Sequence, residues 1–257
     1  MSELFAGAHA RTQGDAPIPF PPFLDSESPA ESFPAAGDLA ESTDEFQIPF
    51  RIRVADNSLR RHRASSLIER RYAWRGYTAS PLERQSADGR VTLAACVEDS
   101  TVATITAGLD SPAGLYVGRL YSREVQALRD EGRRLCEFTK LAVDESVRSR
   151  AVLGAIFHVA SMYVLNLHRC TDVLIEVNPR HVRFYQRMLG FKRAAEERHD
   201  PQVNAPAVLL RLELSHCATE IARLGGRSKS CQGERSFYPF FFGPREAEQI
   251  ICRLRGH

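Results

Sequence analysis

Apolar and polar residues alternate along residues 135–144, LCEFTKLAVD, and the pattern then changes to helical spacing in the apolar segment 151–167. Alternation with a period of two predicts a β-strand, and the longer period predicts a helix. On such a strand Glu137 and Thr139 share one face, while Cys136, Phe138 and Lys140 share the other. The pattern therefore predicts a central strand followed by a long core helix at about residues 146–167.

Further elements are predicted on both sides of this strand from periodicity, capping residues and turn residues. The order is β, α, β, β, α, β, α, β, α, β, β, which predicts an α/β fold with a mixed sheet because an antiparallel hairpin precedes βαβ units. The predicted strands are 50–54, 91–98, 101–109, 135–144, 172–177, 191–195 and 207–214, and the predicted helices are 56–75, 122–132, 146–167 and 178–189.

Composition divides the chain into three parts. Residues 1–46 are rich in Pro, Ser, Ala and Glu and have little periodicity, so we expect a disordered leader. Residues 47–214 contain the predicted sheet and form the main domain. Residues 215–257 form an extension with a helix near 217–224, the aromatic cluster FYPFFF at 237–242 and a helix from about Pro244. We expect the cluster to pack on the core; covering an acyl-binding cleft or touching a membrane peripherally are the alternatives.

Charge is distributed unevenly. Residues 1–50 hold one arginine and nine acidic residues, a net charge of −8, which leaves +10 for residues 51–257 of the total of +2. A basic body suggests an anionic partner, although an ordinary solvated surface explains it equally well. The most basic stretch is the first predicted helix, with arginines at positions 60, 61, 63, 70 and 71.

Cysteine spacing and hydropathy indicate whether a metal site, disulfides or a membrane span are expected. The six cysteines form no CxxC pair and have no zinc-ligand spacing with histidine, so we expect reduced thiols, no metal site and a cytoplasmic location. The segment 151–167 is short for a bilayer span and contains His158, Ser161 and Asn166, which favours a buried helix.

Glu137 is the first candidate for chemistry. A carboxylate is costly to bury unpaired, so an acid in the middle of an apolar strand is either paired with a cation or used chemically. The residues alone leave both interpretations open.

Two motifs make the chain resemble a known superfamily. The segment VNPRHVRFYQRMLGF at 177–191 is similar to the Asn, Phe-Tyr and Gly-Phe signature of GNAT acyltransferases. Within that superfamily, CEFTKLAVDE resembles a segment of the acyl-homoserine lactone synthases and the related long-chain N-acyl amino acid synthases, with Lys140 where those families usually have arginine. The resemblance implies a GNAT-like, mostly antiparallel sheet flanked by helices, with a helical extension at the C-terminus.

The resemblance also implies an acyl transfer to an amine and assigns roles to residues. Glu137 would be the general base, with a pKa raised by burial; Thr139 would orient a water molecule or the amine; Tyr185 would protonate the departing thiolate. Tyr185 could instead be a core aromatic residue, and Asn178 could bind a pantetheine arm or only cap the next helix. Further substrate-binding candidates are Lys140, Arg71, Tyr77 and Arg148.

The acyl donor is inferred from the start of the long helix. Coenzyme A-dependent members have a glycine-rich loop there that binds pyrophosphate, whereas the pattern that begins at Arg148 has Ala151 and Leu153 at the corresponding positions. We therefore expect no free cofactor, and a donor carried on the phosphopantetheine arm of acyl carrier protein, with the arginine-rich first helix as its docking face.

The acceptor is inferred from other segments. The spaced aromatic residues and paired aspartates of the lactone synthases are missing, while IERRYAWRGY and APAVLLRLEL resemble N-acyl amino acid synthases. The expected product is an N-acyl amino acid, with Arg71 or Lys140 binding the substrate carboxylate. The alternatives are a coenzyme A-dependent N-acetyltransferase acting on a small amine and a non-catalytic GNAT-like module that binds an acidic protein or nucleic acid; the leading hypothesis expects no nucleic acid.

Overall fold

A computed structural model of the chain describes residues 50–73, 82, 89–147, 149–231 and 233–255. The predicted leader, residues 1–46, lies outside these ranges. The strands are β1 Phe50–Val54, β2 Arg90–Val97, β3 Ser100–Leu109, β4 Leu135–Val143, β5 Asp172–Val177, β6 Lys192–Arg193, β7 Arg198–Asp200 and β8 Ala205–Glu213. The helices are α1 Ser58–Ala73, α2 Ser122–Asp130, α3 Arg150–Met162, α4 Val182–Leu189, α5 Leu214–Leu224 and α6 Pro244–Arg255.

The strands form one sheet in the order β1-β2-β3-β4-β5-β8-β6, with β7 paired to β8. All pairings are antiparallel except that of β4 with β5, which is parallel. The predicted mixed and mostly antiparallel sheet is confirmed. The parallel pair is the βαβ unit whose crossover helix is α3, because a parallel neighbour requires a connection long enough to cross the sheet.

Each face of the sheet carries its own core. On the first face, which we call the α3 face, Cys136, Phe138 and Ile175 join the side chains of α3 and α4 in the main core. On the opposite face, which we call the α2 face, Leu135 and Leu174 join Val125 and other residues of α2 in a smaller core. Side chains alternate along β4 and β5, so Glu137, Thr139 and Glu176 lie on the α2 face.

The long core helix is α3, which continues as a single π-helical stretch, Tyr163–Leu167. Residues 150–167 are the one helix in the described part of the chain that is long and apolar enough to cross a membrane, and most of it is buried inside the protein. Such burial is typical of a core helix.

The aromatic cluster 237–242 packs against α3 and α4. Phe237, Tyr238 and Phe241 are buried, the Phe237 N–H donates to the Met188 carbonyl at 2.9 Å, and the Tyr238 hydroxyl donates to the Leu189 carbonyl at 2.7 Å. At Gly154 a Cβ atom would lie 2.7 Å from Phe240 Cβ, so the glycine allows this close approach. The buried rings of Phe237, Tyr238 and Phe241 are not available to a membrane surface. The alternative of peripheral membrane contact therefore does not apply to these three residues.

Candidate active site

The central feature of the site is a separation of β4 from β5. The two strands share three register pairs, from Leu135 with Asp172 to Glu137 with Leu174. Beyond these pairs β4 continues for six residues and β5 for three, and these residues of the two strands do not pair with each other. Main-chain groups along both strands therefore face a gap, where a backbone N–H can stabilise an oxyanion.

A β-bulge lies beside this gap. The register between β3 and β4 shifts between the pairs Thr106 with Thr139 and Thr104 with Ala142. Lys140, inside the bulge, is buried and has a left-handed φ of 50°. The Thr104 hydroxyl donates to the Lys140 carbonyl at 2.9 Å, which holds the bulge in place. The bulge re-aims the backbone of β4 at the point where β5 leaves it.

Glu137 lies just before the gap and is fully buried. Its Oε1 accepts hydrogen bonds from Arg90 at 2.7 Å and from the Tyr116 N–H at 3.0 Å, and its Oε2 accepts one from the Val117 N–H at 3.1 Å. The Arg90 guanidinium lies 3.7 Å from the centroid of the Tyr116 ring. Gly108 separates Arg90 from Glu137 across the sheet, and a Cβ atom there would lie 2.6 Å from an Arg90 nitrogen.

These contacts correct the expected setting of Glu137. The sequence left open whether this acid is paired with a cation or used chemically, and the structure shows the pairing. A carboxylate that already accepts from a guanidinium and two backbone N–H groups is held as a structural anion. It fixes Arg90 and the 3₁₀ turn Tyr116–Arg119 on the α2 face. Its role as general base is a prediction that this geometry disfavours.

A cavity of about 780 Å³ opens next to the Arg90–Glu137 pair, on the α2 face. Arg90 and Tyr116 line it together with residues of the 3₁₀ turn and α2. Its other arginines are Arg119, Arg123 and Arg129, of which Arg129 is held by Asp110 in a two-pronged ion pair at 2.7 and 2.8 Å. This density of guanidinium groups makes the cavity suited to a carboxylate or another anion.

Sequence reasoning missed a second buried acid, Glu176 of β5. Continuing the parallel register places it opposite Thr139, across the gap. Glu176 is 4% exposed, and neither of its carboxyl oxygens has a hydrogen-bond partner among the described residues. Burial, and then the neighbouring Asp200, raise the pKa of Glu176 to about 8. The signal was present, because an acid in the apolar strand DVLIEV resembles the acid in LCEFTKLAV.

Asp200 and Thr139 complete this polar group. Asp200 ends β7 and is 3% exposed. Its Oδ1 accepts from the Gln202 N–H at 2.8 Å, and its Oδ2 has no partner in the described residues. The Thr139 hydroxyl is likewise buried without one. The short strand β7 escaped prediction because it is held by pairing to β8 rather than by its own pattern.

Tyr185 and Asn178 lie on the α3 face and at the end of β5. Tyr185 is fully buried and packs edge-to-face against Phe184 and Phe191, at ring-centroid distances of 5.1 and 6.0 Å. Tyr185 is thus a core aromatic residue in the structure, and its role as an acid stays a prediction. Asn178 accepts a hydrogen bond from the Arg180 N–H at 3.3 Å and caps the following turn.

Of the remaining predicted binding residues, the structure describes Arg71. Arg71 forms an ion pair with Glu145, close to the end of β4. This pairing disfavours Arg71 as the cation for a substrate carboxylate. Tyr77 and Arg148 lie outside the described residues, so their predicted roles stay predictions. Among the described residues, no group of three or more His, Cys, Asp or Glu side chains could hold a metal ion.

The fold and the strand gap define the class of protein. A mostly antiparallel sheet with one parallel βαβ unit, whose two strands separate beside a bulge, is the GNAT-like acyltransferase fold that the sequence predicted. The comparisons with known proteins then give the family. Residues 63–213 match the model of the family described as N-acyl amino acid synthase FeeM, and the chain belongs to this family.

Several solved structures are similar to this chain. The structure of FeeM, an N-acyl amino acid synthase from uncultured soil microbes, is 26% identical with a TM-score of 0.55, covering 65% of this chain and 93% of that chain. The AHL synthase LasI is 12% identical with a TM-score of 0.45, covering 65% and 90%. An acyl-CoA N-acyltransferase from Pseudomonas aeruginosa is 13% identical with a TM-score of 0.42, covering 63% and 97%. A search of curated proteins finds no match.

Proposed function

We propose that this N-acyltransferase moves a long-chain fatty acyl group from acyl carrier protein to the α-amine of an amino acid. The observation that carries the proposal is the match of residues 63–213 to N-acyl amino acid synthases. The gap between β4 and β5 supports it, because a thioester carbonyl placed there meets backbone N–H groups. We also propose a cytoplasmic location, where acyl carrier protein is available.

The start of α3 supports a donor other than free coenzyme A. Ser149 caps this helix through a hydrogen bond from the Val152 N–H to its hydroxyl, at 3.5 Å. Arg150 is turned toward the extension and donates to the carbonyls of Glu234 and Ser236, at 3.3 and 2.8 Å. The helix start therefore has a side-chain cap and no glycine-rich cradle, which disfavours a pyrophosphate.

As the docking face for the carrier protein we propose α4, in place of the α1 helix that the sequence suggested. The arginines of α1 are engaged: Arg60 with Asp56, Arg63 with Asp99 and Arg70 with Asp144. On α4, by contrast, Arg183 and Arg187 are exposed and form no ion pair with any described residue. α4 begins where β5 ends, at the gap, so an acidic carrier protein bound there would deliver its arm to the α3 face.

The arginine-lined cavity supports an acceptor that carries a carboxylate. It lies on the α2 face, whereas the proposed donor approaches from the α3 face, and the two meet at the gap. A rise of about 3.3 Å per residue along β4 separates the Glu137 row from the Thr139 row by about 7 Å. An amino acid anchored near Arg90 by its carboxylate would direct its amine toward the gap.

The reaction forms a C–N bond and breaks a C–S bond. The amine nitrogen, once deprotonated, attacks the thioester carbonyl carbon, and the tetrahedral oxyanion collapses to release the thiolate. The acceptor enters as an ammonium and loses two protons in total. One reaches the departing thiolate to give the thiol, and the other is released to solvent.

Donor competition tests the proposal. The purified protein is incubated with amino acids and one donor at a time: a long-chain acyl-carrier protein, the same acyl group on coenzyme A, or acetyl-coenzyme A. We expect mass spectrometry to detect N-acyl amino acid with the carrier-bound donor at the highest kcat/KM. Products formed only with acetyl-coenzyme A would replace the proposal with a small-amine N-acetyltransferase, and no product with any donor would favour a binding module.

A further inference from the structure

Two buried acids face each other beside the gap. Glu176 projects from β5, and Asp200 lies at the end of β7, which folds over the α2 face. The Asp200 carboxyl is close enough to act on Glu176 by its charge. Two ionised carboxylates in such a site repel each other, so Asp200 disfavours the ionised form of Glu176.

The surroundings of Glu176 offer little other charge compensation. From β4 it is faced by Glu137, which is also negative, and by the Thr139 hydroxyl. From the start of α2 it is faced by Tyr121, whose hydroxyl donates to the Ala207 carbonyl at 2.7 Å. The cations close to Tyr121 are Arg198 of β7 and Arg193 of β6, and each forms an ion pair, Arg198 with Glu124 and Arg193 with Glu196. β8 contributes the apolar Leu209 in register with Glu176.

We infer that Glu176 accepts the proton from the acceptor amine, with Asp200 as the positioning residue beside it. The inference rests on the proposed function and moves the general base from β4 to β5. The position of Glu176 supports the inference, because Glu176 lies across the gap from Thr139. Its carboxyl oxygens have no hydrogen-bond partner in the described residues. Glu137, in contrast, is occupied by three donors.

The proton balance follows from this assignment. Ionised Glu176 takes one proton from the ammonium, and the resulting amine attacks the thioester. After the C–S bond breaks, the second proton leaves the amide nitrogen and neutralises the thiolate. Glu176 then returns its proton to solvent and is ready for the next turnover.

A characteristic pH dependence is expected. Burial and Asp200 raise the pKa of Glu176 to about 8. A base works only when it is ionised, so kcat should rise with pH through about 8 and level off above it. An Asp200→Asn substitution removes the repelling charge, so the rise should move to lower pH. A purely structural Asp200 would leave its position unchanged.

Kinetics of three variants test the inference. Glu176→Gln should lower kcat by about 100-fold to 10,000-fold and remove the rise near pH 8, while Asp200→Asn should shift the rise to lower pH. Glu196→Gln, an isosteric change at an exposed acid just before β7, is the matched control and should behave as wild type. Wild-type kcat and an unchanged pH profile in Glu176→Gln would overturn the inference, as would loss of the rise in Glu137→Gln alone.

A second measurement does not depend on turnover. With glutamate labelled by ¹³C at its side-chain carboxyl, one resonance should titrate near pH 8 and be missing from Glu176→Gln. Its absence from the wild type would overturn the inference even if the protein is active. If coenzyme A proves to be the donor, the donor proposal fails but the variants can be assayed with that donor, so the two failures are distinguishable.

Discussion

At the scale of one residue, Glu137 shows that a carboxylate in an apolar strand can have either of two roles, a catalytic one or a structural one. Its position in an apolar strand indicated either a catalytic acid or an ion pair. The ion pair is formed with Arg90, which is 47 positions away in sequence. Once paired, the acid organises the cavity instead of facing the substrate amine. Glu176 has the same sequence signal but has no partner among the described residues, so these two acids are expected to respond differently to the same substitution.

For Glu137→Gln we expect structural loss. The amide nitrogen would face N–H donors, and the buried ion pair would be broken, which costs about 3–5 kcal/mol of the free energy of unfolding. Urea denaturation measures this loss. Kinetics should show a raised KM for the amino acid, because Arg90 loses its anchor, while the rise of kcat near pH 8 persists. Unchanged stability together with loss of that rise would restore the general-base role.

His158 of α3 predicts a pH effect on stability. Burial lowers its pKa to about 3, and its Nδ1 accepts from the Phe242 N–H at 2.9 Å. The unfolded chain binds a proton below a pKa of about 6.5, whereas the folded protein does not until about pH 3. Stability should therefore fall as pH decreases from about 6.5 toward 3, by up to about 1.4 kcal/mol per pH unit from this group.

Matched variants isolate the histidine effect. In His158→Asn the amide oxygen occupies the position of Nδ1 and does not titrate, so the acid-dependent loss should shrink while the hydrogen bond is kept. In His158→Leu the Phe242 N–H loses its acceptor, which should lower the free energy of unfolding by about 1–3 kcal/mol at neutral pH. Denaturant melts at several pH values provide the comparison. Equal slopes in wild type and His158→Asn would contradict the assignment.

At the scale of elements, the position of one strand relative to another decides the site. β4 and β5 are each easy to predict, but their separation after three register pairs is a property of the pair. The starts of these strands are held together by Asp172, which accepts from Arg133 of the preceding turn and Arg211 of β8 at 2.6 and 2.7 Å. This clamp fixes one end of the gap and leaves the other end open.

The contact between α3 and the extension gives a prediction about packing. Gly154→Ala should gain about 1 kcal/mol of helix propensity but place its Cβ 2.7 Å from Phe240 Cβ and 3.2 Å from two carbonyl oxygens. We expect a net loss of stability in thermal unfolding and faster proteolysis within residues 225–243. Gly118→Ala is the control, because a Cβ there meets nothing within 4 Å. A stabilised Gly154→Ala would show that the extension packs differently.

At the scale of the whole molecule, the gap between β4 and β5 can be reached from either face of the sheet. The arginine-lined cavity lies on the α2 face, and α4 with its exposed arginines lies on the α3 face. Net charge alone pointed to α1 as the docking face, but Arg60, Arg63 and Arg70 of α1 form ion pairs with acids in neighbouring loops. Charge that is already paired contributes little to binding an acidic partner.

Charge reversal on α4 tests this arrangement. The double variant Arg183→Glu and Arg187→Glu should lower kcat/KM at least tenfold for an acyl-carrier protein, because like charges then meet at the docking face. With a short acyl-pantetheine thioester as donor, kcat/KM should be unchanged. Arg60→Glu with Arg63→Glu on α1 is the matched control. A larger effect of the α1 pair would return the docking face to the first helix.

The sequence by itself determined the main helices and strands, their order, the GNAT-like class and the acidic residue of the central strand. These follow from local periodicity and from short motifs, which a single chain displays directly. Tertiary structure alone decided that Glu137 is paired, that Asp200 is buried beside Glu176 and that β7 exists, because each depends on residues far apart in sequence. The same holds for the burial of the aromatic cluster, since a run of rings shows that it needs a surface to cover, and only the fold shows that the surface is α3 and α4.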